Sequence, residues 1–261
     1  MIWSYIILNF REMIVFRLSF LMNLFQRLFN SFEFIIFWLI IANFDLGTTI
    51  GTWKLNDLLF LIAFYELNFG MFMILGVGFF SLPYVVPSGK LDDILVLPVD
   101  PSVGIIGDNL APDRFVRIFV ALILLISAII LNPMVDPLLL ILGIVIAIGG
   151  SLVENLFFMT LNLLSFWTGN VGAVVESLTE LDDAKRFPLD SVSRSTRLIL
   201  TFLVPVVFIS SFPAEVITMR VSPTDLLWGI GSLVVLFIIW FKLFGLLWGY
   251  GLKNYQSGGS L

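Results

Sequence analysis

Six long apolar stretches constrain this chain more than any other feature of its sequence. A helix of about 20 residues crosses a hydrocarbon layer roughly 30 Å thick, and each stretch approaches or exceeds that length. The stretches are Ser19–Ala42, Leu58–Val86, Arg117–Leu131, Leu138–Phe166, Leu198–Pro213 and Leu226–Trp248. They are continuously apolar rather than alternating, which favours helices over a membrane β-barrel. The predicted fold is therefore an all-α membrane protein with six transmembrane helices.

Composition leads to the same fold class. Of the 261 residues, 59% are hydrophobic and only 13% are charged, so too little polar surface remains to cover a water-soluble core. The residues Met1–Ser4 carry no basic segment ahead of an apolar core, so we expect no removable signal peptide. Residues 1–261 are predicted to form a single membrane domain, because no linker or repeat divides them.

The positions of the basic residues predict the topology. Of the 14 Lys and Arg residues, only Lys54 and Arg220 fall on the predicted external side. The residues assigned to the cytoplasmic side are Arg11, Arg17, Arg27, Lys90, Arg114, Arg117, Lys185, Arg186, Arg194, Arg197, Lys242 and Lys253. We therefore expect a multi-pass protein of the cell membrane with both termini in the cytoplasm.

Three polar segments follow from this topology. Residues 1–18 read as an amphipathic helix at the headgroup level, since Arg11 and Arg17 interrupt an otherwise apolar segment. Residues 88–114 are predicted to form an amphipathic cytoplasmic loop, and residues 168–197 a second one. The turn Asn132–Pro137 is a tight external hairpin.

Several kinds of chemistry are excluded by composition. The chain has no Cys and no His, so thiolate catalysis, Ser-His-Asp catalysis and sulfur- or imidazole-ligated metals cannot occur within it. We predict no catalytic residue, no metal site and no cofactor on this chain. Its only Gly-Lys pair, Gly89–Lys90, lacks the glycine-rich sequence that binds ATP phosphates. The net charge of −5 argues against a nucleic-acid partner.

Four polar residues inside the apolar stretches are candidate functional residues. They are Glu66 and Asn68 in the second stretch, and Glu154 and Asn155 in the fourth. A carboxylate at bilayer depth costs at least about 2.5 kcal/mol unless it meets a partner or water. The four residues either line a substrate or proton pathway or hold helices together, and the second interpretation is favoured.

The fifth stretch is unusual because it is short and contains proline. Pro205 lies within it, and Pro213 and Glu215 lie at its end. Proline removes a backbone donor and bends a helix, so the chain is interpreted as a re-entrant external gate. The alternative is a tilted, kinked span followed by an exposed loop.

Several short motifs in this layout are similar to those of one transporter family. They are the loop Gly89–Pro101, Arg186-Phe187-Pro188-Leu189, Leu203-Val204-Pro205, Pro213-Ala214-Glu215 and the closing Tyr255-Gln256-Ser257-Gly258-Gly259. With six stretches and an amphipathic N-terminus, the chain resembles the permease subunits of type-2 ABC exporters. It departs from the family pattern in its acidic loop and in Val96, where a basic residue often precedes the proline.

The resemblance implies partners and a role for two segments. Two cytoplasmic ATPase subunits would carry ATP and Mg²⁺, and a second permease, identical or related, would complete the transporter. The loop after the second stretch would be the ATPase-coupling loop, with residues Gly89, Leu91, Asp92, Ile94, Leu95, Leu97 and Pro98. The N-terminal helix would be the connecting helix, with Phe10, Arg11 and Phe16.

The loop also supports this role on physical grounds. A cytoplasmic segment exposing Ile94, Leu95, Val96 and Leu97 would be an unburied apolar patch unless a partner covered it. The alternative is that the patch lies against lipid headgroups.

Three functions compete at this point. The leading prediction is a permease subunit of an ATP-driven exporter. The second is a proton-coupled secondary transporter that uses Glu66 and Glu154. A membrane-embedded enzyme has the least support, since no pair of acidic residues lies close together within the stretches.

Overall fold

The computed structural model describes residues 17–44, 49–50, 53–110, 112–168, 171–190 and 192–256. The α-helices of this part are α1 (Arg17–Phe44), α2 (Leu55–Met71), α3 (Leu82–Val85), α4 (Leu91–Leu95), α5 (Pro101–Asp108), α6 (Val116–Leu131), α7 (Pro137–Leu163), α8 (Ser165–Thr168), α9 (Gly172–Asp182), α10 (Arg194–Phe202), α11 (Ser211–Ile217) and α12 (Pro223–Asn254). A short antiparallel pair, β1 (Thr49–Ile50) and β2 (Trp53–Lys54), precedes α2. The predicted all-α membrane class is confirmed at this level.

Four apolar helices are long enough to cross a membrane. Their ranges are Asn56–Gly76, Asp113–Leu131, Pro137–Thr168 and Pro223–Asn254. They correspond to the second, third, fourth and sixth predicted stretches. The first stretch is also helical, within α1, and its assignment as a span stays a prediction.

The two longest of these helices begin at caps encoded in the sequence. Asp136 accepts a hydrogen bond from the backbone N–H of Leu138 at 2.7 Å, and Ser222 accepts one from Asp225 at 3.2 Å. Each cap is followed by a proline at the first helical position, where the missing N–H costs nothing. The helices α7 and α12 therefore start at defined residues and pack against each other.

One end of the bundle, called the Trp53 end, is fixed by polar contacts. Arg220 Nη2 lies 2.8 Å from Asp57 Oδ2, and its guanidinium lies over the Trp53 ring at 4.5 Å. The side chain of Asn132 donates to the backbone oxygen of Asn56 at 3.1 Å, so α2 and α6 meet antiparallel here. Lys54 and Arg220, the two predicted external cations, thus share one end of the molecule.

The opposite end, called the Gly89 end, is built by the continuation of α2. That helix passes through a π-helical turn at Phe72–Gly76 and a 3₁₀ turn at Phe79–Ser81 before α3. Gly89 has φ 74°, a left-handed conformation that glycine adopts at little cost, and the chain reverses there into α4. The buried residues Phe79, Leu163 and Trp248 bring the far ends of α2, α7 and α12 into one core at this end.

The structure differs from the predicted second cytoplasmic loop, residues 168–197. Val175 of α9 packs in the same core as Phe157 and Phe158 of α7. Further along, Lys185 contacts Glu154, and Trp53 Nε1 donates to Asp190 Oδ2 at 2.9 Å. Residues 171–190 therefore run along α7 from the Gly89 end to the Trp53 end. Mixed charge made the segment read as a surface loop, whereas Lys185 has its partner, Glu154, inside the bundle.

The fifth predicted stretch is a hairpin rather than one span. Helix α10 ends at Phe202, an irregular turn follows, and α11 runs back over Ser211–Ile217. All residues from 204 to 217 are buried. The turn lies against Gly150, where an added Cβ would be 2.3 Å from Phe208 O, and the hairpin end lies against Gly143, 2.5 Å from Ile217 Cγ1. Small residues on α7 thus let this backbone approach closely.

Candidate functional site: buried ion pairs, cavities and a surface loop

A buried ion pair joins α2 and α6 in the middle of the bundle. Arg117 Nη1 lies 3.2 Å from both carboxylate oxygens of Glu66, and the two side chains are 5% and 0% exposed. The Arg117 guanidinium also lies 4.0 Å from the centre of the Phe69 ring. Mutual neutralisation lets both charges remain where an isolated one would be costly.

A second buried pair involves three segments of the chain. Lys185 Nζ, from the 3₁₀ turn after α9, lies 2.7 Å from Glu154 Oε1 of α7. The side-chain amide of Asn68, on α2, donates to the other carboxylate oxygen of Glu154. Ser210 of the hairpin turn donates to the backbone oxygen of Lys185 at 2.5 Å. We call the side chains of Glu66, Asn68, Arg117, Glu154 and Lys185 the charge belt.

The structure brings together most of the polar residues singled out in the sequence. Asn68 and Glu154 bond directly, and Glu66 lies on the same helix two residues before Asn68. Asn155 is also buried, but its side chain donates to Ser151 O of its own helix at 2.8 Å. Its side-chain amide therefore makes no hydrogen bond to the charge belt among the described residues.

The basic members of the belt were missed by reasoning from sequence. Arg117 and Lys185 were placed on the cytoplasmic surface, yet they are 4% and 5% exposed. Both lie at the edges of polar segments, where a surface position is the usual reading. The sequence does indicate that each buried carboxylate needs a cation nearby. It does not indicate which Lys or Arg residue is that cation.

Two cavities lie beside the belt. The first, the belt cavity, has a volume of about 370 Å³. It is lined by Asn30, Glu33, Phe37, Tyr65, Phe69, Arg117, Arg186 and Phe187. The second, the aromatic cavity, has a volume of about 320 Å³. It is lined by Tyr65, Phe69, Phe72, Val77, Phe80, Glu154, Phe158, Thr179 and Lys185. Tyr65 and Phe69 line both cavities.

The hairpin holds the residues predicted for the external gate. Pro205, Pro213 and Glu215 are all buried. Glu215 Oε2 lies 2.5 Å from Arg197 Nη2, and its other oxygen accepts from Ser211 Oγ at 2.7 Å. This ion pair ties α10 to α11 near the Trp53 end.

The predicted coupling loop is a small folded unit at the Gly89 end. Leu91 is fully buried, and Ile94 and Leu95 are half-buried against the core of that end. Val96 is 79% exposed and Leu97 38%, so the outward surface is centred on Val96–Pro98. Ile94 and Leu95, expected to be exposed together with Val96 and Leu97, are therefore partly covered by the chain's own core.

Two groups at this end have shifted pKa values. Asp100 caps α5, and the side-chain hydrogen bond from Ser102 lowers the pKa of Asp100 below its usual value. Burial raises the pKa of Tyr255, after the end of α12, and the nearby Asp92 carboxylate raises it further. Tyr255 packs with the core beneath the loop, so the last helix and α4 are held together.

Some predicted features lie outside these contacts. Phe10, Arg11 and Phe16 of the connecting helix fall outside the described residues. Within the described part, no cluster of three or more Asp or Glu residues is arranged to hold a metal ion.

Comparison with known proteins places this architecture in a family. Residues 28–259 match the family described as ABC-2 family transporter protein. No curated protein and no solved structure gives a match. The matched range includes both buried ion pairs, the hairpin and the loop at the Gly89 end, and it covers well over half of the chain. The protein is therefore a membrane permease that belongs to the ABC-2 transporter family.

Proposed function

We propose that this chain is the permease subunit of an ATP-driven exporter, working with a second permease and two cytoplasmic ATPase subunits. ATP and Mg²⁺ would bind to the ATPase subunits, and this chain would have no catalytic role. Its family membership supports the transporter class. The observation that carries the finer proposal is the loop Gly89–Pro101, whose buried base and exposed apolar tip suit a docking element.

The construction of the loop supports force transfer. Leu91 is fixed in the core of the Gly89 end, together with Phe79 and Trp248. Gly104 of α5 lies against Ile94, where an added Cβ would be 2.8 Å from Ile94 Cγ2. A push on the tip would therefore move α2 and α12 with it, since packed side chains transmit displacement.

The sidedness of the proposal follows from the two ends. The Gly89 end faces the cytoplasm in this proposal, where the ATPase subunits lie, and the Trp53 end faces outward. The hairpin 194–217 enters the bundle from the Trp53 end and returns to it, which suits the proposed external gate containing Pro205, Pro213 and Glu215. The interior between the tip and the hairpin holds the charge belt and the two cavities.

The second permease would face α1, which lines the belt cavity with Asn30, Glu33 and Phe37. The described side chains of this helix that line the cavity include the exposed Asn30 and Glu33, so a facing subunit could complete the wall. We propose that the translocation path runs there.

The proton-coupled alternative has less support. Its two coupling acids, Glu66 and Glu154, are each bonded to a buried cation. Both carboxylates therefore already have a partner that holds segments of the chain together.

A cross-linking experiment tests the docking proposal. A photoreactive amino acid replaces Val96 in the full chain, and the membranes are irradiated before purification in mild detergent. We expect a covalent adduct with a protein that carries an ATP-binding P-loop, identified by mass spectrometry. The same replacement at Met134, which is 93% exposed near the Trp53 end, is the matched control and should give no such adduct.

A paired substitution provides the functional counterpart. Val96→Asp with Leu97→Asp should abolish retention of the ATPase subunits while leaving membrane insertion and thermal stability unchanged, because both side chains face outward. Adducts of Val96 with lipid alone, or full ATPase retention by the double variant, would refute the coupling role.

A further inference from the structure

We propose that the belt cavity and the aromatic cavity together bind an anionic amphiphile as cargo. Its acidic group, a carboxylate, sulfate or phosphate, lies in the belt cavity, and its apolar part lies in the aromatic cavity. This inference rests on the proposed transport function and adds the chemical class of the substrate.

The belt cavity has the chemistry to receive an acidic group. The described residues of its lining include the guanidinium groups of Arg117 and Arg186 and the exposed carboxylate of Glu33. Glu66 is held by Arg117 Nη1. The Nε of Arg117 is buried and donates no hydrogen bond among the residues described. A buried donor without an acceptor is costly, and an anionic oxygen is the strongest acceptor for it.

The aromatic cavity has the chemistry to receive an apolar chain. The rings of Phe72 and Phe80 meet edge to face at 4.9 Å between centres, and Phe80 and Phe158 lie 5.8 Å apart. Among the described residues of its lining, the charged groups are Glu154 and Lys185, which form an ion pair with each other. The wall therefore offers apolar contact and little unpaired charge.

The two cavities are arranged for a single ligand. Tyr65 and Phe69 line both, so the polar compartment and the apolar compartment adjoin at these two side chains. Each cavity lies in the size range of small-molecule sites, roughly 300 to 1,000 Å³. A molecule with one acidic end and one apolar end matches this division of polarity.

A fluorescence titration tests the inference on the full chain in nanodiscs of phosphatidylcholine. The probes are a dansyl-labelled undecanoic acid and its uncharged methyl ester. We expect the acid to bind about tenfold more tightly than the ester, the difference that one charge-assisted hydrogen bond provides. Equal affinities of the two probes would overturn the proposal.

Variants locate the site. The charge-balanced pair Glu66→Gln with Arg117→Gln, and separately Arg186→Gln, should each weaken acid binding about tenfold and leave the ester unchanged. Val77→Phe reduces the aromatic cavity and should weaken both probes. Lys253→Gln removes an exposed cation at the end of α12 and is the matched control, with both affinities unchanged.

The outcomes remain interpretable if one variant is unstable. Size-exclusion chromatography checks folding. If the Glu66→Gln/Arg117→Gln double variant does not fold, the affinity of Arg186→Gln for the acid tests the site by itself. Unchanged acid binding in a folded Arg186→Gln variant, or an equal loss in Lys253→Gln, would overturn the assignment. The titration needs no ATPase, so its failure leaves the exporter proposal intact. Loss of the Val96 adduct removes that proposal without altering probe binding.

Discussion

Two short, proline-containing, apolar segments of this permease have opposite fates. The hairpin 194–217 buries every residue from 204 to 217 between α7 and α12. The loop Gly89–Pro101 instead buries Leu91 at its base and exposes its tip, with Val96 79% exposed. Both segments contain helices of nine residues or fewer that begin and end near prolines or glycine. Their difference lies in the neighbours that each one meets.

The comparison shows that local composition does not decide what an apolar segment does. The hairpin faces glycines on α7, Gly143 and Gly150, which leave room for its backbone. The tip of the loop extends beyond the ends of α2 and α12, where no further helix of the described chain covers it. The first segment therefore stabilises the fold, and the second presents an exposed surface, which we propose is covered by a partner.

The largest expected contrast is in side-chain truncation. Phe208→Ala removes a ring that is 2% exposed and packs edge to face with Phe212 at 5.7 Å. We expect it to lower the free energy of unfolding by about 3 to 5 kcal/mol. Val96→Ala should change it by less than about 0.5 kcal/mol. Thermal unfolding in detergent measures both, and similar losses in the two variants would remove the distinction between the segments.

A second contrast concerns close backbone approach. Gly150→Ala places a Cβ 2.3 Å from Phe208 O, so either the hairpin or α7 must shift. The expected loss of stability is about 1 to 3 kcal/mol, as in other overpacked cores. Gly245→Ala on α12 is the control, because nothing lies within 4 Å of the added Cβ. If both variants melt at the wild-type temperature, the hairpin does not press on α7.

A third prediction concerns the ion pair inside the hairpin. Arg197→Met leaves the Glu215 carboxylate, which is 5% exposed, without its cation. We expect a loss of about 1 to 2 kcal/mol, less than for a fully buried pair because Arg197 is 29% exposed. Adding Glu215→Gln should restore most of the stability. A double variant as unstable as the single one would show that the carboxylate charge is not the cause.

The smallest expected effect tests the cap of α5, Asp100, which lies in the proposed coupling loop. The pKa of Asp100 is lowered in the folded state, so its contribution is complete above its ordinary value of 3.8 and disappears as the pH falls through the folded value. Asp100→Ala should loosen α5 by about 1 kcal/mol at neutral pH, seen as faster amide exchange at Ser102 and Val103. Asp100→Asn keeps a capping side chain and should protect α5 independently of pH. Exchange that is identical in all three proteins would exclude the cap.

Part of the candidate site could be predicted from the sequence. Glu66, Asn68 and Glu154 stand out because carboxylates and amides are costly in an apolar helix. Their partners could not be predicted, since Arg117 lies 51 residues from Glu66 and Lys185 lies 31 from Glu154. Helical spacing relates residues three or four apart and gives no information on contacts at that range.

The coupling loop shows the same limit at close range. Its position follows from the sequence, because charged residues and prolines mark the segment after the second apolar stretch. The reversal at Gly89 is seen only in the structure. The side chains that face outward do not. Ile94 and Leu95 look as suited to a partner as Val96 and Leu97, and only packing against Phe79, Leu163 and Trp248 separates the half-buried pair from the exposed pair.

The sequence by itself determined the solvent of this protein and the class of its fold. Long apolar stretches require lipid, and lipid requires helices that satisfy their own backbone hydrogen bonds. The tertiary structure alone decided that residues 171–190 run along α7, that residues 194–217 form a buried hairpin, and which cation meets which carboxylate. These features depend on contacts between residues far apart in the chain, where the charge of one segment is neutralised by another.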